Sequence, residues 1–227
     1  MAADGVGIVA SIIGFGLVFG LSARLAGYSL IEASAMSSIL FAGASQFAAV
    51  GAVASGAGWP AIVLLTLLLN ARHLLYSAVL APWMSDRPRI ERALAAHVLT
   101  DEAFALSIAH FRRLGRGDMP GYFGAALLTV FIPWNLATAA GFLIGSGIPD
   151  PARLGLDVVF PVTMAGLAVG LLAGRQEVVA AVAGAGIGIA AGLAWGIPAG
   201  IMAGGILGPL VGMVVPSGPA RPAGAQP

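Results

Sequence analysis

Long apolar runs separated by short polar punctuation set the pattern of this chain, and the runs have the length of membrane-crossing helices. The uncharged interval Gly5 to Ala23 is long enough for one span, at about 20 residues per crossing. Arg24 to Glu32 reads as a short polar connection. Ala33 to Ala71 is uncharged, and Gly51, Gly56, Gly58 and Pro60 divide it into two helices. The first of these carries Phe41-Ala42-Gly43-Ala44-Ser45-Gln46-Phe47; the second carries Asn70-Ala71-Arg72-His73 and ends near Pro82. Downstream, Tyr122 to Gly145 and Asp157 to Gly174 form two more segments. Val178 to Ala220 is divided by Gly196-Ile197-Pro198 into a final pair. Between Trp83 and Gly121 the pattern changes: a periodic piece, Ala93 to Phe111, has Asp101-Glu102 at its middle and is flanked by Arg87, Arg89 and Arg92 on one side and Arg112, Arg113 and Arg116 on the other.

Composition makes this an integral membrane protein. Charged residues are 9% and hydrophobic residues 59%, whereas soluble domains carry roughly 25% charged residues. The mean hydropathy is +0.95. The expected fold is all-α: a polytopic transmembrane bundle of about seven spans with one polar or re-entrant helix over 93–111 and with discontinuous helices. A single permease domain is expected over 1–215, followed by a disordered Pro/Gly/Ala tail over 216–227 that has nothing to bury. The flank Met1-Ala2-Ala3-Asp4 lacks the positive n-region of a secretory signal, so the first segment is expected to remain in the mature protein.

Charge distribution bears on topology. If 93–111 crosses the membrane, the loop and tail arginines divide evenly. If it does not, Arg153 alone falls outside, while Arg24, Arg87, Arg89, Arg92, Arg112, Arg113, Arg116, Arg175 and Arg221 fall inside. The positive-inside rule prefers the second arrangement, with the C-terminus in the cytoplasm. The alternative keeps 93–111 as a spanning helix whose carboxylates face a cavity. A net charge of +1 without a basic patch points to no nucleic-acid partner. There is no Cys, so disulfide and thiolate chemistry are absent, and no Lys, so no phosphate-binding loop of the Walker type exists.

The last pair of segments carries glycines at Gly184, Gly188, Gly192, Gly196, Gly200, Gly204, Gly208 and Gly212. Residues four apart share a helix face. Each helix therefore presents a small-residue strip that lets backbones approach closely, within the chain or against another subunit.

Polar residues inside the apolar segments are the candidates for function. An Arg at the centre of a transmembrane helix costs roughly 2.5–3.5 kcal/mol, so Arg72 implies a counter-charge or a wet cavity. Alternatively its segment ends early and the charge snorkels to the interface. Ser45 and Gln46 either hydrogen-bond between helices or bind substrate at a helix break beside Gly43. Glu32 sits at a segment boundary, as an interfacial cap or as a coupling carboxylate. Asp101 and Glu102 are the natural counter-charges for Arg72 and His73 if 93–111 dips into the protein. A zwitterionic amino acid would find a carboxylate partner in Arg72 or in a broken-helix N-terminus, an ammonium acceptor in Asn70, Gln46 or Asp101, and an apolar pocket in Phe41, Phe47 and Leu75. Proton coupling would need His73, Asp101 or Glu102. No cofactor and no metal site is expected.

The blocks Glu32-Ala33-Ser34-Ala35-Met36-Ser37, Phe41 to Phe47, Leu69 to Tyr76 and Leu99 to Ala105 resemble, in order, the signature blocks of the AzlC family. The match covers residues 5–110 by motif and continues to about 215 by hydropathy. The resemblance implies the large permease subunit of a bacterial branched-chain amino-acid exporter. The expected substrates are valine-like amino acids, with methionine a possible addition, and the expected setting is the inner membrane. It also implies a small membrane partner of the AzlD type, with further oligomerisation left open. Two other readings stay open: a non-transporting assembly subunit, and an intramembrane serine hydrolase built on Ser45 and His73.

Overall fold

This computed structural model describes residues 2–147, 172 and 174–216, and all its regular elements among them are helical. Apart from residues 172 and 174, the expected segment 157–174 lies outside the described residues, as do Arg153 and the tail beyond Pro216. The chain divides into two compact units, Met1–Gly51 with Thr66–Phe160, and Ala52–Leu65 with Pro161–Pro227.

The first unit is built on α1 (Ala2–Leu25) and α9 (Ile132–Ser146). Helices gain no hydrophobic driving force from one another in lipid, so they associate where small residues let their surfaces interlock. Gly16 and Gly20 of α1 press on Trp134, Ala137 and Thr138; Gly141 and Gly145 of α9 press on Leu17, Leu21 and Arg24. A Cβ at Gly20 would run into the Thr138 carbonyl, and one at Gly141 into the Leu17 carbonyl. Beside this seam Phe19, fully buried, stacks on Trp134 at 6.0 Å and meets the edge of Phe47 at 5.6 Å.

The expected second segment is a broken helix. Ser29 opens α2 (Leu30–Ala35) with a capping box: its hydroxyl accepts from the Glu32 N–H while the Glu32 carboxylate accepts from the Ser29 N–H at 2.7 Å. After one π-helical turn, Met36–Leu40, Phe41 takes the left-handed conformation at φ 42°, and α3 (Gly43–Ala54) begins afresh. A left-handed non-glycine residue costs roughly 1–2 kcal/mol, which the packing of Phe41 on Phe131 at 4.8 Å helps to offset. A second π turn, Ala126–Phe131, joins α8 (Met119–Ala125) to α9.

The expected third segment is α4 (Trp59–Asn70) and α5 (Arg72–Leu80), continuous in direction through the single turn residue Ala71, which keeps right-handed helical dihedrals; a 3₁₀ turn, Ala81–Met84, follows. Over 93–111 the structure corrects the expected single helix. The periodic piece is two helices, α6 (Arg89–His97) and α7 (Asp101–Leu114), broken at Val98–Thr100. Thr100 caps α7 by accepting from the Ala103 N–H at 3.2 Å, so Asp101 and Glu102 lie in a first turn, where acids favour the helix dipole, and not at mid-helix. Neither helix is among the candidate spans. Gly115, at φ 68°, ends α7 in the left-handed form. At the following turn the Nδ1 of His110 faces the Arg113 guanidinium at 3.1 Å and can only accept there, so Nε2–H donates to Asp118 at 2.8 Å. That bond, with the Gly121 N–H, holds the Asp118 carboxyl below the usual carboxylate range.

Four described helices are long and apolar enough to cross a membrane: Gly7–Leu25, Trp59–Met84, Met119–Ser146 and Arg175–Trp195. Leu30–Leu40, Gly43–Ala54 and Ala199–Val214 are shorter apolar pieces. The chain is a helical membrane protein.

In the second unit, α10 (Arg175–Trp195) and α11 (Ile197–Val214) form an antiparallel hairpin about Gly196, at φ 94°. The glycine strips meet as the spacing predicts: a Cβ at Gly188 would stand 3.2 Å from the Gly200 carbonyl and one at Gly204 3.1 Å from the Gly188 Cα. At the open end the Gln176 amide donates to the Val215 carbonyl at 2.6 Å. Gly188→Leu and Gly204→Leu are each expected to destabilise the hairpin by on the order of 1–3 kcal/mol through overpacking. Thermal unfolding in detergent checks this, and unchanged midpoints for both variants would show the strips to be idle.

Candidate functional site

The junction of α4 and α5 assembles a polar cluster inside the first unit. Asn70 ends α4 and accepts the Ser45 hydroxyl on its Oδ1 at 2.7 Å, linking the first turn of α3 to the end of α4. Ser45 is fully buried. The Asn70 carbonyl takes a hydrogen bond from His73 Nδ1 at 3.1 Å; a carbonyl only accepts, so Nδ1 carries the proton and Nε2 is left as the free ring nitrogen.

Arg72 opens α5 and reaches the first turn of α7, where its Nη1 stands 3.2 Å from Asp101 Oδ2. The other oxygen of Asp101 accepts the Tyr76 hydroxyl at 2.7 Å. Tyr76 is fixed in turn: its ring stacks on Phe104 at 4.5 Å and 14°, and the His73 ring meets it edge-on at 5.7 Å. The Arg72 and Asp101 side chains are 34% and 45% exposed. The pair therefore sits at an opening and is not sealed in the core. The Arg72 Nε is buried without a hydrogen-bond partner among the described residues. Glu102 does not pair with Arg72; with Asp101, His110 and Arg113 it lines a cavity of about 560 Å³ along α7.

A second network lies between the first π turn and α9. Gln46, fully buried, donates from Nε2 to the Ser37 hydroxyl at 3.0 Å, which in turn lies 2.9 Å from the Thr138 hydroxyl. The Ser38 hydroxyl is 2.8 Å from Asn135 Oδ1, and His97 Nε2 donates to the Ser38 carbonyl at 3.0 Å. The Asn135 amide donates to the Phe131 carbonyl at 2.9 Å, satisfying an acceptor in the second π turn. Two buried polar atoms have no partner here among the described residues, Gln46 Oε1 and Trp134 Nε1. Groups of this kind are uncommon in native interiors, and each calls for a reason.

The structure thus brings Ser45, Asn70, Arg72, His73 and Asp101 together, and puts Gln46 in the neighbouring network. Phe41 and Phe47 are buried at 4% and 1%, packed against aromatic neighbours. Glu32 serves the α2 cap. Tyr76, Ser37, Thr138 and Asn135 join these networks without being among the residues the sequence singles out. Tyr76 lies within the stretch singled out for its charges, and Asn135 follows Pro133-Trp134, but a hydroxyl or amide in an apolar helix carries no spacing signal of its own. The Ser45 hydroxyl donates to an amide and not to an imidazole, which leaves the serine-hydrolase reading without its base. Among the described residues no cluster of His, Cys, Asp and Glu could hold a metal ion.

No solved structure matches this chain. Among curated proteins it is 32% identical over 146 residues to the inner membrane protein YgaZ of Escherichia coli, covering 64% of this chain and 60% of that one. It is 35% identical over 142 residues to an uncharacterized membrane protein of Archaeoglobus fulgidus, covering 61% and 58%. An uncharacterized membrane protein of Helicobacter pylori is 32% identical over 132 residues, covering 58% and 57%. The chain thus spans about three-fifths of the length of these curated relatives. The family model described as AzlC protein matches residues 7–148, more than half of the chain and the whole of the polar cluster. The chain belongs to the AzlC family.

Proposed function

We propose that this chain is the substrate-carrying subunit of a secondary transporter that exports branched-chain amino acids, valine foremost, across a bacterial inner membrane, working with a small membrane partner and drawing on the proton gradient. The observation that carries the reading is the Arg72–Asp101 pair at the α4–α5 junction, half open and braced by Tyr76. A charged pair within an apolar helical segment marks a substrate or ion pathway more often than a structural site. The substrate carboxylate takes the place of Asp101 on the Arg72 guanidinium, whose Nε is already without a partner among the described residues. Asp101, released, takes up a proton, so substrate and proton are linked through the one cation they share. Asn70, part-buried and held by the Ser45 hydroxyl, borders the site and offers an amide oxygen to the ammonium group. The nine-to-one arginine bias supports a cytoplasmic C-terminus.

Counterflow of labelled valine in vesicles, with and without an imposed pH gradient, tests this. Valine is expected to exchange, and an imposed gradient to drive net accumulation. Exchange with no response to the gradient would remove the proton coupling. No exchange, with the partner present, would leave the chain as an assembly subunit.

A further inference from the structure

Away from the polar cluster, α6 and α5 enclose a cavity of about 410 Å³ with an unusual division of chemistry. Its floor is apolar: Leu80, Met84, Leu99 and Tyr122 are buried, and the Tyr122 hydroxyl is spent on the Ala95 carbonyl at 2.7 Å. Its rim carries Arg89 and Arg92, three residues apart on one face of α6. Neither makes an ion pair or a side-chain hydrogen bond among the described residues, whereas Arg72 and Arg87 both have carboxylates. Glu91, the acid nearest in sequence, makes no ion pair with either. Ile90 and Leu94, on another face of the same short helix, are exposed.

Arginines on one face and exposed aliphatics on another suit a helix to the plane of a membrane interface. Two adjacent guanidiniums over an apolar floor fit a phosphate joined to a hydrocarbon, because the planar fork of Arg matches phosphate oxygens two at a time. We infer that this cavity binds the headgroup of an anionic phospholipid, with Arg89 and Arg92 on the phosphate and the floor taking the first methylenes. The site is separate from the Arg72–Asp101 cluster, and the proposal does not depend on which substrate is carried.

Binding of phosphatidylglycerol to the purified full chain in detergent, read by native mass spectrometry and by the shift in thermal midpoint, tests the site. The double variant R89Q/R92Q is expected to bind roughly thirtyfold more weakly, at about 1 kcal/mol per arginine and tenfold per 1.4 kcal/mol. The charge-matched variant R112Q/R116Q should bind as the parent does. Ala93→Trp, which fills the cavity while keeping both charges, should also lose binding. Phosphatidylcholine, inorganic phosphate and valine should not reproduce the effect. The proposal is overturned if phosphatidylcholine binds equally, if inorganic phosphate or valine gives the same shift, if R112Q/R116Q loses as much as R89Q/R92Q, or if either R89Q/R92Q or Ala93→Trp binds like the parent.

Discussion

Arg72→Gln is expected to bring valine export to background while lowering the yield of folded protein, because it removes two things together. The substrate carboxylate loses its cation, and Asp101 is left with the Tyr76 hydroxyl as its remaining side-chain donor. An unpaired carboxylate at a membrane site is costly, although the half-open position of the pair keeps the penalty below that of a sealed interior. Adding Asp101→Asn should therefore restore the folded yield without restoring export. Adding Glu102→Gln should restore neither, since Glu102 does not meet the guanidinium. Arg72→Lys should not suffice, because an ammonium lacks the two-pronged geometry for a carboxylate. Vesicle transport of labelled valine and the monodisperse fraction on gel filtration read the two effects separately. Export at the parental rate by Arg72→Gln would make the cluster structural and end the proposed role.

The other large effect belongs to the seam between α1 and α9. Gly20→Leu and Gly141→Leu should each abolish the folded protein, since the added Cβ meets a backbone carbonyl of the facing helix, which cannot swing aside as a side chain can. Overpacking commonly costs about 1–3 kcal/mol, and separating two helix backbones along their length exceeds that. Gly14→Leu supplies the control, because a Cβ there meets nothing within 4 Å. Solubilised yield and thermal midpoint should separate the variants. Equal midpoints for Gly20→Leu and Gly14→Leu would mean the helices do not meet as described.

The membrane class and the α10–α11 seam were legible because each rests on a long, repeated signal. The α1–α9 seam uses the same device with Gly16 and Gly20 against Gly141 and Gly145, two glycines per helix, too few to stand out from the other glycines of the chain. A partner for Arg72 was legible from charge, since a guanidinium in an apolar segment needs one and Asp101 and Glu102 are the nearest free acids; which of the two meets it was not. Nor was the brace, because nothing in the sequence distinguishes the Tyr76 hydroxyl from that of any interfacial tyrosine. The period of Ala93 to Phe111 predicts one helix, although Thr100 followed by Asp101 and Glu102 has the chemistry of a helix start. There the cap outweighed the periodicity.

The two π turns, Met36–Leu40 and Ala126–Phe131, behave as single-residue insertions carried by two neighbouring helices. Each residue of an α-helix turns the chain by about 100°. Removing one residue from Met36–Leu40, so that the turn relaxed to α geometry, would rotate one half of that helix against the other and carry Ser37 and Ser38 away from Thr138 and Asn135. Register in this chain is therefore a matter of counting as well as of side-chain identity. Within these two turns a deletion should be far less tolerated than most substitutions, and a relative that lacks one of the extra residues should need a compensating change on the facing helix.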